Sequence, residues 1–124
     1  MDICAAAMLG RTEAVEQFLQ TDPDLIHAVG AHRIPLLTHA ALSGRVELVS
    51  LLVQRGATEG LSSALSNAVS RGHVDLTRWL LENGHPDLTW KNFQGKTALD
   101  IATERGNREL VELLNGVAAS ERGV

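Results

Sequence analysis

Three histidines in the first third of the chain come nearest, by type and spacing, to a metal site. His27, His32 and His39 fall within thirteen residues, and neutral imidazole is the commonest metal ligand in proteins. No two of them have the i, i+3 or i+4 spacing that would place both rings on one helix face. We expect His27 and His32 in a hairpin and His39 on a helix, so the sequence predicts no bound metal and no cofactor.

Cys4 and four regularly spaced acids are the other candidates for reactive groups. Cys4 stands beside a run of alanines, where a thiol is more typical of a small buried apolar side chain than of a nucleophile. The acids recur at one offset in the chain and are typical of charges at helix starts rather than of a general acid–base pair. They are Glu13, Glu47, Asp75 and Glu109. Glycine-rich phosphate loops, cysteine pairs and the His-Glu-x-x-His motif are also missing from the sequence, so we predict that the protein is not an enzyme.

The composition is typical of one folded domain. The chain has 124 residues, of which 44% are hydrophobic and 21% charged, as in globular proteins. A formal net charge of −4, with Lys and Arg spread singly, disfavours a nucleic-acid ligand. The first residues do not resemble a signal peptide, and no apolar run reaches the ~18–20 residues that span a bilayer. With a single cysteine, the sequence predicts a cytoplasmic protein that does not bind membranes.

Four glycines mark an internal repeat and so define the elements that position these residues. They are Gly10, Gly44, Gly72 and Gly106, separated by 34, 28 and 34 residues. An alanine stands four residues before each glycine, an acid three after, and an apolar residue both seven before and eight after. The alanines are Ala6, Ala40, Ala68 and Ala102. A period of this length is the signature of stacked helical repeats.

These offsets predict one unit that occurs four times. Apolar residues three and four apart before the glycine form one face of a short helix. The glycine can adopt the left-handed conformation that ends this helix, and the acid then lies in the first turn of a second, longer helix. One helix pair does not bury its own apolar face, so the pairs must stack. Since Leu and Ala predominate and aromatics amount to 3%, we predict an all-α fold.

The residues of these units resemble those of the ankyrin repeat family. The match is best at Gly95-Lys-Thr-Ala-Leu-Asp-Ile-Ala102 and Arg105-Gly-Asn-Arg-Glu-Leu-Val-Glu-Leu-Leu114, and it continues at Leu37-Thr-His-Ala-Ala41, Ser43-Gly-Arg-Val-Glu-Leu-Val49 and Arg71-Gly-His-Val74. The resemblance extends from Asp2 to about Asn115. It implies an ankyrin-type α-solenoid of four stacked helix-turn-helix repeats with short β-hairpin loops, and a structural hydrogen bond from His73.

The resemblance makes the whole chain, 1–124, a single ankyrin-repeat domain. The predicted repeats are about 2–29, 30–59, 60–91 and 92–119, and we expect residues 116–124 to form a frayed tail. The first unit lacks a preceding hairpin and can serve as an N-terminal cap, because it begins at its first helix.

The connection between repeats two and three departs from the family pattern. It is about five residues shorter than the others, since only Thr58, Glu59 and Gly60 separate Gly56-Ala57 from the next helix. The projecting hairpin must therefore be cut to a tight turn. Either this leaves a notch in the row of loops, or it is a harmless surface deletion of the kind that loops tolerate. In repeat two, Thr38 holds the family's usual histidine position.

The resemblance also implies a site, because ankyrin proteins bind partners through a concave face built from hairpin tips and first helices. The two residues before each glycine face that groove. Here they are Met8, Leu9, Leu42, Ser43, Ser70, Arg71, Glu104 and Arg105. Repeats one and two contribute mostly apolar side chains and repeats three and four mostly charged ones, which suits a partner with an apolar end and a charged end.

Trp90 and Phe93 fall in the last loop and complete the predicted partner-binding set. Trp is the residue type most enriched at binding hot spots. Trp90 either takes part in binding or packs the loop against repeats three and four, and Phe93 is expected at the exposed tip of the loop.

The favoured function is a non-catalytic protein–protein interaction module, a monomer whose partner is another protein of unknown identity. A second hypothesis is a regulatory or inhibitory subunit of an enzyme encoded alongside it. A third is a small-ligand or metal binder that uses the histidine-bearing loop, which stoichiometric metal uptake would support.

Overall fold

The computed structural model describes residues 2–30, 33–57 and 59–121, and in these ranges the chain forms eight α-helices arranged as four pairs. The first helix is shorter than the second in three of the pairs, and both helices have 10 residues in the remaining pair. The first helices are α1 (Ile3–Met8), α3 (Leu36–Ala41), α5 (Leu61–Ser70) and α7 (Ala98–Glu104). The second helices are α2 (Thr12–Thr21), α4 (Val46–Gln54), α6 (Val74–Asn83) and α8 (Arg108–Glu121). The predicted all-α solenoid is confirmed.

The four pairs stack so that the first helices form one row. Helix α1 contacts α3, α3 contacts α5, and α5 contacts α7, while α4 contacts α6 and α6 contacts α8. The repeated alanines lie where the first helices meet, and all four are 0% exposed: Ala6, Ala40, Ala68 and Ala102. A methyl side chain at this position lets neighbouring helices approach closely, which explains why the sequence repeats it. Leu52, Leu80 and Leu114 close the core from the second helices.

The glycine between the helices of a pair is also a contact point between repeats. Gly44 has φ +73, the left-handed conformation that the turn requires. The ring of His73, from the next repeat, lies over it, and its Nε2 is 3.1 Å from the carbonyl oxygen of Leu42. The hydrogen bond that the resemblance implied for His73 is therefore present. It joins repeat three to the turn of repeat two.

The shortened connection is held by side chains of the preceding repeat. Gly60 adopts φ +83 and packs against Pro35 and Thr38. The Thr38 hydroxyl donates to the Gly60 carbonyl at 3.3 Å and lies 2.7 Å from the hydroxyl of Ser63. Thr38 thus fixes the tight turn that replaces a hairpin. Thr58 lies outside the described residues.

Two expectations about local structure are wrong. Where β-hairpins are predicted, the described residues contain one isolated antiparallel bridge, between Val29 and Pro35, and no strand. His27 ends a 3₁₀ helix, Pro23–His27, which the side chain of Asp22 caps by accepting from the Asp24 N–H at 3.1 Å. Helix α8 continues to Glu121, past residue 116, where the predicted tail begins.

The extension of α8 has a packing reason. Val117 is packed against the core and continues the apolar face of Leu110 and Leu114 at intervals of four and three residues. Residues 122–124 of the predicted tail lie outside the described residues. None of the described helices is both long and apolar enough to cross a membrane.

Candidate functional site

The residues predicted to face a partner lie at the C-terminal ends of the first helices, and we call them the groove row. Its members are Met8, Leu9, Leu42, Ser43, Ser70, Arg71, Glu104 and Arg105. At the repeat-one end, Met8 is 43% and Leu9 55% exposed. Leu42, Ser43 and Ser70 are half-buried, and the three charged members are exposed. The row therefore begins with apolar side chains in water and ends with charged ones.

The two row residues of repeat two, Leu42 and Ser43, have structural roles. The Ser43 hydroxyl donates to the Ala40 carbonyl at 2.7 Å and accepts from the Arg45 N–H at 3.2 Å. The carbonyl of Leu42 is the group that His73 contacts. Substitution at these two positions would therefore disturb the turn as well as any surface that faces a partner.

The charged end of the row contains one ion pair and two guanidinium groups outside it. Lys96 Nζ lies 2.7 Å from Glu104 Oε2, which neutralises the only acid of the row. Arg105 extends across to repeat three and donates to the Ser70 hydroxyl at 3.4 Å. None of the ion pairs among the described side chains includes Arg71 or Arg105. The end of the row formed by repeats three and four is therefore positively charged.

Lys96 is the site residue that sequence reasoning missed. It lies in the loop before α7, and its position depends on Asn92, whose Oδ1 accepts from the N–H groups of Gln94 and Lys96 at 2.9 and 3.1 Å. The sequence offers a weak signal, an Asn and a Gly three residues apart in a loop, which is typical of a tight turn. It does not indicate that the turn brings Lys96 to Glu104.

The two loop aromatics differ in their surroundings. Phe93 is 96% exposed, so its ring has almost no contact with the rest of the protein. Trp90 is 36% exposed and lines a cleft of about 340 Å³ beside the shortened connection. Leu61 and Ser62 at the start of α5 form one side of this cleft, and His85 lies near Trp90. This cleft lies beside the shortened connection, for which the sequence left open a notch or a harmless surface deletion.

The candidate reactive groups are arranged as structural residues. Cys4 is 5% exposed, and burial, with a smaller effect from the charge of Asp2, raises the pKa of its thiol. A raised pKa favours the neutral thiol over the nucleophilic thiolate. Within the described ranges, no three His, Cys, Asp or Glu side chains are grouped so as to hold a metal ion. His32 lies outside those ranges.

His39 is the one described side chain with a buried polar atom that lacks a hydrogen-bond partner. This atom is its Nε2, which lies against Gly30 and near Cys4. Burial lowers the pKa of His39, and the charge of Asp2 and the backbone of Ile34 oppose this shift only in part. The fold therefore favours the neutral imidazole.

This burial predicts a stability that depends on pH. The folded-state pKa of His39 lies below its unfolded value of about 6.5. At a pH between these two pKa values, the unfolded chain binds more protons than the folded chain. The free energy of unfolding therefore falls as the pH drops through this range. The variant His39→Leu has no charge to bury. We therefore expect its free energy of unfolding in urea, relative to that of the wild type, to be higher at pH 5 than at pH 7.5. An equal difference between the two proteins at both pH values would contradict the prediction.

The family follows from a sequence comparison that covers almost the whole stack. The family model described as ankyrin repeats in three copies matches residues 3–87 and again residues 37–120. The chain belongs to the ankyrin repeat family. The family model does not give the number of repeats in this chain, and the described residues form four helix pairs. A comparison with curated proteins found no match.

Membership states the function only in general terms. Ankyrin repeats generally mediate protein–protein interactions, and the family is typically non-catalytic. Because members share a scaffold rather than a target, the partner of this ankyrin domain must be inferred from its own surface.

Proposed function

We propose that this protein is a non-catalytic module that binds a protein partner through the groove row and the loop aromatics, on the concave face of the ankyrin stack. We propose further that it acts as a monomer in the cytoplasm, a compartment that keeps thiols such as that of Cys4 reduced. Nucleic acid and membranes are not among its proposed ligands.

One observation carries the proposal. Met8, Leu9, Arg71, Arg105 and Phe93 are all exposed. Among the described residues, the side chains of the two arginines make one hydrogen bond, the long one from Arg105 to Ser70. Aromatic residues, Met and Arg are enriched at protein interfaces, and Arg is among the residues that most often carry the binding energy. Four of these five residues belong to the groove row, so one partner could cover them together.

The scaffold suits this role because it is ordered before binding. The first helices that carry the row are held by buried alanines and by the contact of His73 with the preceding turn. Side chains on fixed helices lose less conformational entropy on association than side chains on mobile loops. The stack therefore supplies an extended surface at low entropic cost.

Site-directed photo-crosslinking tests the proposal. A photoreactive benzoylphenylalanine placed at Met8, Leu9 or Ser70 is expected to capture one protein from a lysate of the source cell, as adducts of a shared mass. The matched controls are Gln20, Gln54 and Glu82, which are exposed on second helices, each ten residues after its glycine. Adducts that form only from the control positions, or equally from both sets, would overturn the assignment of the binding face.

A further inference from the structure

We infer that the partner segment bound by the groove row is acidic at one end, with carboxylates against Arg71 and Arg105 and an apolar side chain against Met8 and Leu9. The inference rests on the proposed function and adds the chemistry of the ligand. It commits to an extended peptide segment of another protein.

The charge around the arginines of the row differs in sign from that of the whole protein. The chain has a formal net charge of −4, yet cations outnumber anions among the row residues of repeats three and four, the loop before α7 and the first turn of α7. The cations are Arg71, Lys91, Lys96 and Arg105, and the anions are Asp87, Asp100 and Glu104. A local positive surface on an acidic protein attracts a negatively charged segment and repels positively charged ones.

All three of these anions are already engaged. Asp87 accepts hydrogen bonds from the N–H and the hydroxyl of Thr89 at 2.9 and 2.6 Å. Glu104 pairs with Lys96 at 2.7 Å. The carboxylate of Asp100 accepts from the Thr97 N–H at 3.0 Å, as part of the capping box that begins α7. Hydrogen bonds from Thr97, and to a smaller extent the charges of Lys91 and Lys96, lower the pKa of Asp100. These contacts leave Arg71 and Arg105 without a carboxylate from the described part of the chain.

The geometry of the two arginines also favours an acidic ligand. The guanidinium of Arg105 reaches Ser70, the residue directly before Arg71, so side chains from α7 and from the end of α5 meet on one stretch of surface. Its contact with the neutral Ser70 hydroxyl, at 3.4 Å, is long for a hydrogen bond. A carboxylate can accept two parallel hydrogen bonds from a guanidinium and would replace this contact with a stronger one.

The repeat spacing sets the length of the segment. Packed helices lie about 8–10 Å apart, so Met8 in repeat one and Arg71 in repeat three are separated by about 16–20 Å along the row. An extended chain advances about 3.3 Å per residue, which places about five or six residues between the apolar side chain and the first carboxylate. A partner that binds only through negative charge, such as a nucleic-acid backbone, would leave Met8 and Leu9 in water.

A peptide display experiment tests this chemistry with the partner still unidentified. The probe is a phage library of random 12-residue peptides, panned against the purified full chain. Three proteins are compared: wild type, the charge reversal Arg71→Glu with Arg105→Glu, and the matched control Arg55→Glu with Arg108→Glu, which makes the same change of net charge at exposed positions outside the row. Circular dichroism verifies that all three are equally helical.

We expect the wild type and the control to enrich peptides with Asp or Glu about five or six residues from a Leu, Ile or Phe. The reversed variant should enrich basic peptides instead. A synthetic peptide from the wild-type selection should bind the reversed variant at least about tenfold more weakly, and its affinity should fall with added salt.

The outcomes distinguish a failure of the inference from a failure of the proposed function. Enriched peptides without an acidic excess, or acidic peptides that bind the reversed variant equally well, would overturn the inference and leave the proposed function standing. If the wild type enriches no peptide above a bare support, the row is not a peptide-binding surface, and both the inference and the proposed concave-face function fail.

Discussion

Replacing Gly44 with alanine is expected to lower the free energy of unfolding by about 2–3 kcal/mol, for two separable reasons. An L-residue in the left-handed conformation, which Gly44 adopts at φ +73, costs about 1–2 kcal/mol. The new Cβ would also lie 2.6–2.8 Å from three atoms of the His73 ring. The ring would have to move, which would break its hydrogen bond to Leu42, a contact worth about 1 kcal/mol.

Two other glycines supply the controls for urea unfolding. Gly106→Ala also places an L-residue in the left-handed conformation, at φ +66, but no atom lies within 4 Å of its Cβ. Only the backbone strain of about 1–2 kcal/mol is therefore expected. Gly116 lies inside α8 with open space around it, and Gly116→Ala should stabilise by about 0.5–1 kcal/mol. Equal losses for Gly44→Ala and Gly106→Ala would show that the His73 contact does not couple the repeats.

Much of the fold could be predicted from the sequence because its signals are local and repeated. Alanine four residues before each glycine is buried in every repeat, and the recurrent acids lie in the first turns of α2, α4, α6 and α8. Such positions are set by helix periodicity and by the end of one helix at a glycine. Four copies of the pattern made chance agreement negligible.

The errors occur where a single non-repeated residue decides the local structure. Asp22 followed by Pro23 favours a capped 3₁₀ turn, and this places His27 on a helix end rather than in a hairpin. Val117 has no counterpart at that offset in the other repeats, yet it packs against the core near the end of α8. A comparison of the four repeats carries no information about either residue.

The sequence is enough to predict which residues lie in the groove row, but not which of their charges are paired. The offset from each glycine is enough to name Arg71, Glu104 and Arg105 as neighbours on successive helix ends. Only the turn around Asn92 shows that Lys96 neutralises Glu104 and so removes the row's one acid as a partner for the two arginines. A contact of this kind joins a loop to a helix end eight residues away, so neither helix nor strand spacing predicts it.

The largest effect is expected on partner binding. In a variant with Arg71→Ala, Arg105→Ala and Phe93→Ala, we expect affinity for the partner to fall at least about 100-fold, because hot-spot truncations each cost about 1–2 kcal/mol or more and 1.4 kcal/mol is a factor of ten. All three side chains are exposed, so the loss should occur without a change in stability. The matched control, Arg55→Ala with Arg108→Ala, removes the same charge from exposed positions outside the row.

The most direct measurement is an affinity pull-down from the source cell's lysate with wild type, triple variant and control side by side, followed by mass spectrometry. The proposed function predicts a protein retained by the wild type and the control and lost by the triple variant, while the circular dichroism of all three stays the same. If the triple variant retains the same proteins as the wild type, in equal amounts, the groove row is not the binding surface.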